Sequence, residues 1–151
     1  MRIMVDDLSG PEIAAFLDEH LDEMRATTPP ESKHALDLDG LRRPEVTFWS
    51  VRHGDRLVGC GALKELDATT AELKSMRTAR AMKRSGVAST LLTHLISVAR
   101  QRGYTHLYLE TGSDDFFAPA RALYAKFGFE RCEPFADYTD DPLSVFLCRA
   151  L

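Results

Sequence analysis

Hydrophobic residues recur along the chain with two different periods. Over residues 11–24 they recur every three or four positions, which predicts an amphipathic helix with one buried face. The same spacing predicts a longer helix over 85–102, where Gly103 would end it, and a third helix over 119–127. The apolar stripe of the long helix is wide enough to lie against a sheet.

Apolar runs of strand length separate these helices. Two of them, 46–52 and 56–63, flank a short turn that contains Gly54, and this arrangement predicts a β-hairpin. Further strands are predicted at 2–5, 69–77, 106–111, 129–132 and 144–149. Residues 27–45 break the periodicity apart from a short helical stretch near 36–41, so they predict a loop large enough to shape a pocket.

The bulk composition narrows the class of protein. A chain of 151 residues with 44% hydrophobic positions has the size of one compact domain, and the order of its elements predicts a single α/β domain over 1–151. The net charge of −4 excludes the global basic field that binding to nucleic acid or to an anionic membrane would require. No apolar run is long enough for a signal peptide or a membrane span, so a soluble, cytoplasmic protein is expected.

Cysteine and histidine positions indicate no metal site. The three cysteines are widely spaced and odd in number, which favours reduced thiols over a disulfide framework or a zinc site. Four of the histidines also lack a companion ligand at metal spacing. These four are His20, His53, His94 and His106.

The turn before the long helix has the chemistry of a phosphate site. Gly86 allows close approach of the backbone, and the first turn of a helix leaves N–H groups without partners at its positive end. Lys83 and Arg84 add charge beside it, and five basic residues fall within the eleven positions 74–84, which suits a small polyanion. An ordinary connection or a solvated charged face is the alternative.

Two stretches resemble one family. Residues 83–88, Lys-Arg-Ser-Gly-Val-Ala, resemble the Arg/Gln-x-x-Gly-x-Gly/Ala acetyl-CoA-binding motif of the GNAT N-acetyltransferase superfamily. Residues 122–129, Ala-Leu-Tyr-Ala-Lys-Phe-Gly-Phe, resemble the helix and turn that follow it in that family. The resemblance implies a mixed, mostly antiparallel sheet flanked by helices, whose splayed middle strands, here 69–77 and 106–111, admit the cofactor.

The resemblance also implies which residues contact acetyl-CoA. The pantetheine arm would meet the end of the fourth strand, and the pyrophosphate would meet the turn and the start of the long helix. The implied cofactor-binding residues are Met76, Arg77, Thr78, Lys83, Arg84, Ser85, Gly86, Val87, Ala88 and Ser89. One departure is Phe117, which replaces an Asn common in the family, so contacts in that segment are expected to differ.

The catalytic residues are expected on the splayed strands and the last helix. Tyr124 occupies the position of the family tyrosine that often protonates the departing thiolate, although its ring could simply pack on the sheet. A backbone N–H near Ser75 is the expected donor to the oxyanion. Glu72 and Glu110 are the candidate bases. The alternatives are that Glu72 faces solvent and that Glu110 is an acceptor for the turn at 111–112.

The acceptor is expected to be a primary amine of a small molecule or peptide. His34, Tyr138 and Ser144 are the candidate substrate-binding residues, and a solvated loop histidine is the alternative for the first. A non-catalytic acyl-CoA-binding regulatory module would keep the same turn without turnover. A nucleotide-phosphate site is a weaker alternative, because neither the P-loop nor the Rossmann glycine pattern is present. A homodimer is a further expectation.

Overall fold

A seven-stranded sheet forms the centre of the computed structural model, which describes residues 1–27, 38–83 and 85–151. The strand order is β1-β2-β3-β4-β5-β7-β6. The β4–β5 pair is parallel and the other pairs are antiparallel. The strands are β1 (Arg2–Val5), β2 (Val46–His53), β3 (Arg56–Glu65), β4 (Thr70–Thr78), β5 (His106–Gly112), β6 (Glu130–Arg131) and β7 (Ser144–Ala150). The mixed, mostly antiparallel sheet is the predicted one.

Helices flank this sheet on both faces. They are α1 (Pro11–Thr27), α2 (Leu38–Leu41), α3 (Val87–Gln101) and α4 (Ala118–Lys126), with 3₁₀ turns at Arg80–Met82 and Asp115–Phe117. On one face α3 buries its apolar stripe against Leu73, Leu107 and Leu109. On the other face α1 buries Ile13 and Phe16 in a separate cluster that includes β2 and β3. No described helix has the length and hydrophobicity needed to cross a membrane.

Two glycines bound α3, and the sequence predicted the limit at Gly103 but placed Gly86 inside the helix. Gly86 has φ +88° and stands directly before the first helical residue, so the helix begins two residues later than the predicted 85. Gly103 has φ +84°, and its N–H bonds to the Arg100 carbonyl just beyond the last turn. The left-handed region is readily open only to glycine, which explains why the helix has these limits.

The end of the chain differs from its prediction in one respect. The strand predicted over 129–132 is reduced to Glu130–Arg131. Phe129 is not part of it, because its N–H donates to the Tyr124 carbonyl and its ring is buried beneath α3 and α4. The final strand β7 inserts between β5 and β6, which places Ser144 beside Gly112 at the end of β5.

Candidate active site

The two central strands separate halfway along their length. β4 and β5 pair from Thr70↔His106 to Glu72↔Tyr108, and no later pair joins them in the described chain. Beyond that point β4 contains a bulge, since Cys60 pairs with Arg77 while Ala62 pairs with Lys74. A bulge bends its strand, and this one turns β4 away from β5. The splay implied by the family resemblance is therefore present.

The bulge includes a strained residue and reverses the alternation of side chains. Ser75 has φ +56°, a left-handed conformation that is uncommon outside glycine. Before the bulge Leu73 faces α3, and after it Met76 does so instead. Arg77 consequently points to the opposite face, where its guanidinium carbon lies 4.9 Å from the centre of the Phe16 ring.

A cavity of about 520 Å³ fills the opening between the strands. Its walls come from residues 72–78 of β4, 109–112 of β5, the start of α3, and α4. Its volume lies within the range of small-molecule and cofactor sites. The two sequence motifs, at 83–88 and 122–129, therefore meet at one cavity although 33 residues lie between them in the chain.

One end of the cavity has the backbone chemistry that an anion site requires. Lys83 and the first residues of α3 line it, and the first-turn N–H groups of a helix have no intrahelical acceptor. The lining residues here are Lys83, Gly86, Val87, Ala88 and Ser89. Ser85 is different, because both its N–H and its hydroxyl donate to the Met82 carbonyl and so close the turn. Arg84 lies outside the described residues.

Two of the five basic residues at 74–84 have acidic partners within the protein. Met76, Arg77 and Thr78 all border the cavity, but the Arg77 guanidinium turns to α1, where it meets Glu19 at 3.3 Å. Lys74 bonds to Glu72 instead of standing near the turn. Both cations are thus paired within the protein, and Lys83 is a described cation that lines the cavity beside the α3 N-terminus.

Tyr124 lies on the cavity wall and also packs in the core. It is buried on α4, and its ring makes an edge contact with Phe129 at 5.7 Å between centres. Burial raises the pKa of its phenol well above the ordinary value. The side chain therefore remains protonated throughout the physiological range, which is the state that a proton donor needs.

Glu72 forms a buried polar triad with Lys74 and Tyr138. Its Oε2 accepts from Lys74 Nζ at 3.0 Å and from the Tyr138 hydroxyl at 2.6 Å. Lys74 Nζ also donates to the Tyr138 oxygen at 2.9 Å. Glu72 is 2% exposed, so the alternative that it faces solvent is wrong. The pKa of Tyr138 is raised by burial and by the Glu72 charge.

Glu110 is the second carboxylate of the cavity. The Ser144 hydroxyl donates to its Oε2 at 2.7 Å, so this hydrogen bond ties Glu110 to β7 and not to the turn at 111–112. Burial raises the pKa of Glu110 to about 7, although the Ser144 hydrogen bond and the Lys74 charge act in the opposite direction. A carboxyl with that pKa exchanges protons near neutral pH, which is the property required of a general base.

Sequence reasoning missed the contacts of Lys74 with Glu72 and Tyr138, and it missed the rings that hold Tyr138. Phe135 and Phe146 contact the Tyr138 ring with centres 5.0 and 5.6 Å apart. For Lys74 a signal existed, since it stands two residues after Glu72 and so shares its face of the strand. The contact with Tyr138 had no signal, because 64 positions separate the two residues. His34 lies outside the described residues.

Removal of Glu72 is expected to destabilise the fold more than removal of an exposed partner. Glu72→Ala leaves the Lys74 cation buried without its counter-charge, so the free energy of unfolding should fall by about 3–5 kcal/mol. Glu12→Ala is the control, because it breaks the exposed Arg52–Glu12 pair and should cost less than about 1 kcal/mol. Urea denaturation measures both, and equal losses would show that the Glu72 pair is effectively solvated.

The chain is similar in sequence and in fold to known acetyltransferases. A sequence profile of the acetyltransferase (GNAT) family matches residues 13–129. The uncharacterised N-acetyltransferase YsnE of Bacillus subtilis is 55% identical over 151 residues, which is 100% of both chains. A Klebsiella pneumoniae structure assigned as an acyl-CoA N-acyltransferase is 29% identical with a TM-score of 0.79, covering 99% of this chain and 97% of that one.

A further solved structure carries a ligand. The GNAT family acetyltransferase of Elizabethkingia anophelis with acetyl-CoA bound has a TM-score of 0.66 and covers 99% of this chain and 97% of its own. At 18% identity it shows a shared fold.

Proposed function

The chain belongs to the acetyltransferase (GNAT) family, and on that premise we propose that it transfers an acetyl group from acetyl-CoA to a primary amine of a small molecule or peptide. One observation supports the proposal above all others. A single cavity has an anion-binding helix terminus at one end and, elsewhere on its walls, a buried neutral phenol and a carboxyl with a pKa near 7. Acetyl transfer from CoA needs a site for its phosphates, a proton donor and a base, and these three groups can supply them.

Acetyl-CoA would lie along the cavity, with each of its parts against a different element. The pyrophosphate would lie at the first turn of α3, where the N–H groups of Val87, Ala88 and Ser89 and the Lys83 ammonium favour negative charge. The pantetheine arm would run between β4 and β5, whose facing backbones are unpaired with each other beyond Glu72. The thioester would then lie among the side chains of the splayed strands.

The reaction needs two proton transfers. The amine nitrogen attacks the thioester carbonyl carbon, a C–N bond forms, and the C–S bond breaks. We assign Glu110 as the base that takes the proton from nitrogen and Tyr124 as the acid that protonates the thiolate. A backbone N–H near Ser75 would stabilise the charge on the carbonyl oxygen, in keeping with the unusual φ of that residue.

Glu72 is the less favoured base for a structural reason. Its Oε2 already accepts from both Lys74 and Tyr138, and a proton taken from an amine would have to compete with these bonds. We therefore assign it the role of fixing Tyr138 at the acceptor side. Ser144 would similarly orient Glu110. The two carboxylates against one buried ammonium favour an acceptor that arrives as a cation.

The cofactor assignment is tested by ligand-dependent unfolding. Acetyl-CoA at about 100 times its Kd should add roughly 2.7 kcal/mol to the free energy of unfolding, and ATP and NADH at the same concentration should add less. ATP shares the polyphosphate and the adenine with acetyl-CoA but lacks the pantetheine arm. An equal shift with ATP, or no shift with acetyl-CoA, would contradict the proposed cofactor.

Gly86→Ala should lower both the stability of the fold and the affinity for acetyl-CoA, and a control variant separates the two effects. A Cβ at Gly86 meets no atom within 4 Å, but φ is +88°, so the substitution should cost about 1–2 kcal/mol of stability. Gly103→Ala at the other end of α3 is a matched control with φ +84° and equally open space. Both variants should lose similar stability by urea denaturation, whereas only Gly86→Ala should lose affinity for acetyl-CoA in calorimetry. Equal affinities would contradict a phosphate site at this turn.

A further inference from the structure

An exposed aromatic ring stands on the cavity wall near the anion site. Phe116 is 42% exposed, and the other exposed large apolar side chains of the described residues, Met1 and Val5, lie outside the cavity lining. It lies in the 3₁₀ turn Asp115–Phe117 after β5 and lines the cavity. The exposure therefore occurs at a ligand cavity and not at a random point of the surface.

The ring is held in place although it is exposed. The Phe116 N–H donates to Asp114 Oδ1 at 3.0 Å, and the ring meets Phe117 edge-on with centres 4.9 Å apart. Phe117 is itself packed over Gly112 so closely that a Cβ there would lie 2.0 Å from its ring. Arg121 donates to the Gly112 and Asp114 carbonyls and ties the turn to α4. A ring fixed in this way loses little conformational entropy when a ligand binds.

Lys83, which also lines the cavity, lies over the same ring. Its Nζ lies 6.0 Å from the centre of the Phe116 ring. A planar aromatic group needs about 3.5 Å on each side, so a small outward movement of the flexible lysine would admit one. The lysine belongs to the turn that precedes α3, which places this gap immediately beside the anion site.

We propose that Phe116, with Lys83 opposite, binds the adenine ring of CoA by stacking. The inference rests on the proposed function, because it requires the pyrophosphate at the α3 N-terminus. From there one end of CoA runs to the thioester and the other end is the adenosine, which has an aromatic base. A fixed ring with an exposed face and a cation next to a phosphate site matches that end of the molecule.

The test compares two ligands that differ by the nucleotide. Calorimetry gives the Kd of CoA and of 4′-phosphopantetheine for the wild-type protein and for Phe116→Ala, Phe116→Leu and Phe116→Trp. We expect the Ala and Leu variants to bind CoA about tenfold more weakly, the Trp variant to bind it as the wild type does, and phosphopantetheine binding to be unaffected. The Leu variant separates stacking from simple apolar contact.

Each other outcome overturns a defined part of the proposal. Equal losses for both ligands would place Phe116 against the pantetheine arm, and unchanged CoA affinity in Phe116→Ala would remove it from binding altogether. A wild-type protein that fails to bind CoA would overturn the proposed function itself, which is a different result. Val5→Ala is the control, because Val5 is an exposed apolar residue outside the cavity lining and its loss should leave both Kd values unchanged.

Discussion

Replacement of Tyr124 by Phe is expected to lower kcat for acetyl transfer by about 10²–10⁴-fold, the usual contribution of a general acid. The phenol is buried on the cavity wall and is protonated at neutral pH, so it can donate a proton to the departing thiolate. Phenylalanine preserves the ring and its contact with Phe129. The affinity for acetyl-CoA and the stability of the fold should therefore change little, and the loss should be in the chemical step.

Tyr104→Phe is the matched control for this variant. Tyr104 is equally buried, and its hydroxyl donates to Glu65 Oε1 at 2.7 Å, away from the cavity lining. Its removal should cost about 1 kcal/mol of stability and leave kcat unchanged. Steady-state kinetics with thiol detection measures both. Wild-type turnover in Tyr124→Phe would show that the tyrosine only packs, and that another group or water protonates the thiolate.

Replacement of Glu110 by Gln is expected to change the pH dependence of the reaction as well as its rate. In the wild-type protein the carboxyl is protonated below its pKa of about 7 and cannot accept a proton, so kcat/KM should rise as the pH increases through 7. Glutamine keeps the shape and can still bond to Ser144 but is never a base. The variant should lose this rise together with about 10²–10⁴ of the rate.

Ser144→Ala tests the same assignment by moving the pKa. The Ser144 hydrogen bond stabilises the ionised carboxylate, so its loss should raise the pKa of Glu110 further and shift the rise in kcat/KM to higher pH. Profiles of kcat/KM against pH for the three proteins provide the measurement. If Glu110→Gln retains the wild-type rise near pH 7, the titrating group is a different one, and Glu110 is not the base.

Local features of the sequence were sufficient to predict the helix and glycine turn at one end of the cavity. The apolar stripe of α3 repeats at helical spacing, and Gly86 and Gly103 adopt the left-handed conformations that only glycine takes readily. The hairpin at Gly54, with φ +63°, is equally local. Each of these follows from a few neighbouring residues, so a single sequence contains the information.

The polar contacts of the cavity around Glu72 and Glu110 could be predicted only in part. Glu72, Tyr138, Glu110 and Ser144 were expected near a site, but which of them would pair depends on β7 lying between β5 and β6, and nothing local specifies that strand order. The bulge at Ser75 had the largest effect. Regular alternation would put Arg77 on the same face as Leu73, and the extra residue instead directs it to α1.

The most direct test of the account is the formation of an N-acetylated product. Purified protein, saturating acetyl-CoA and a panel of primary amines should release free CoA thiol and yield the corresponding amide, identified by mass spectrometry, with at least one amine. The same product should be lost or greatly reduced with Tyr124→Phe. Stable binding of acetyl-CoA without product from any amine would contradict the account and would identify the chain as a non-catalytic acyl-CoA-binding module.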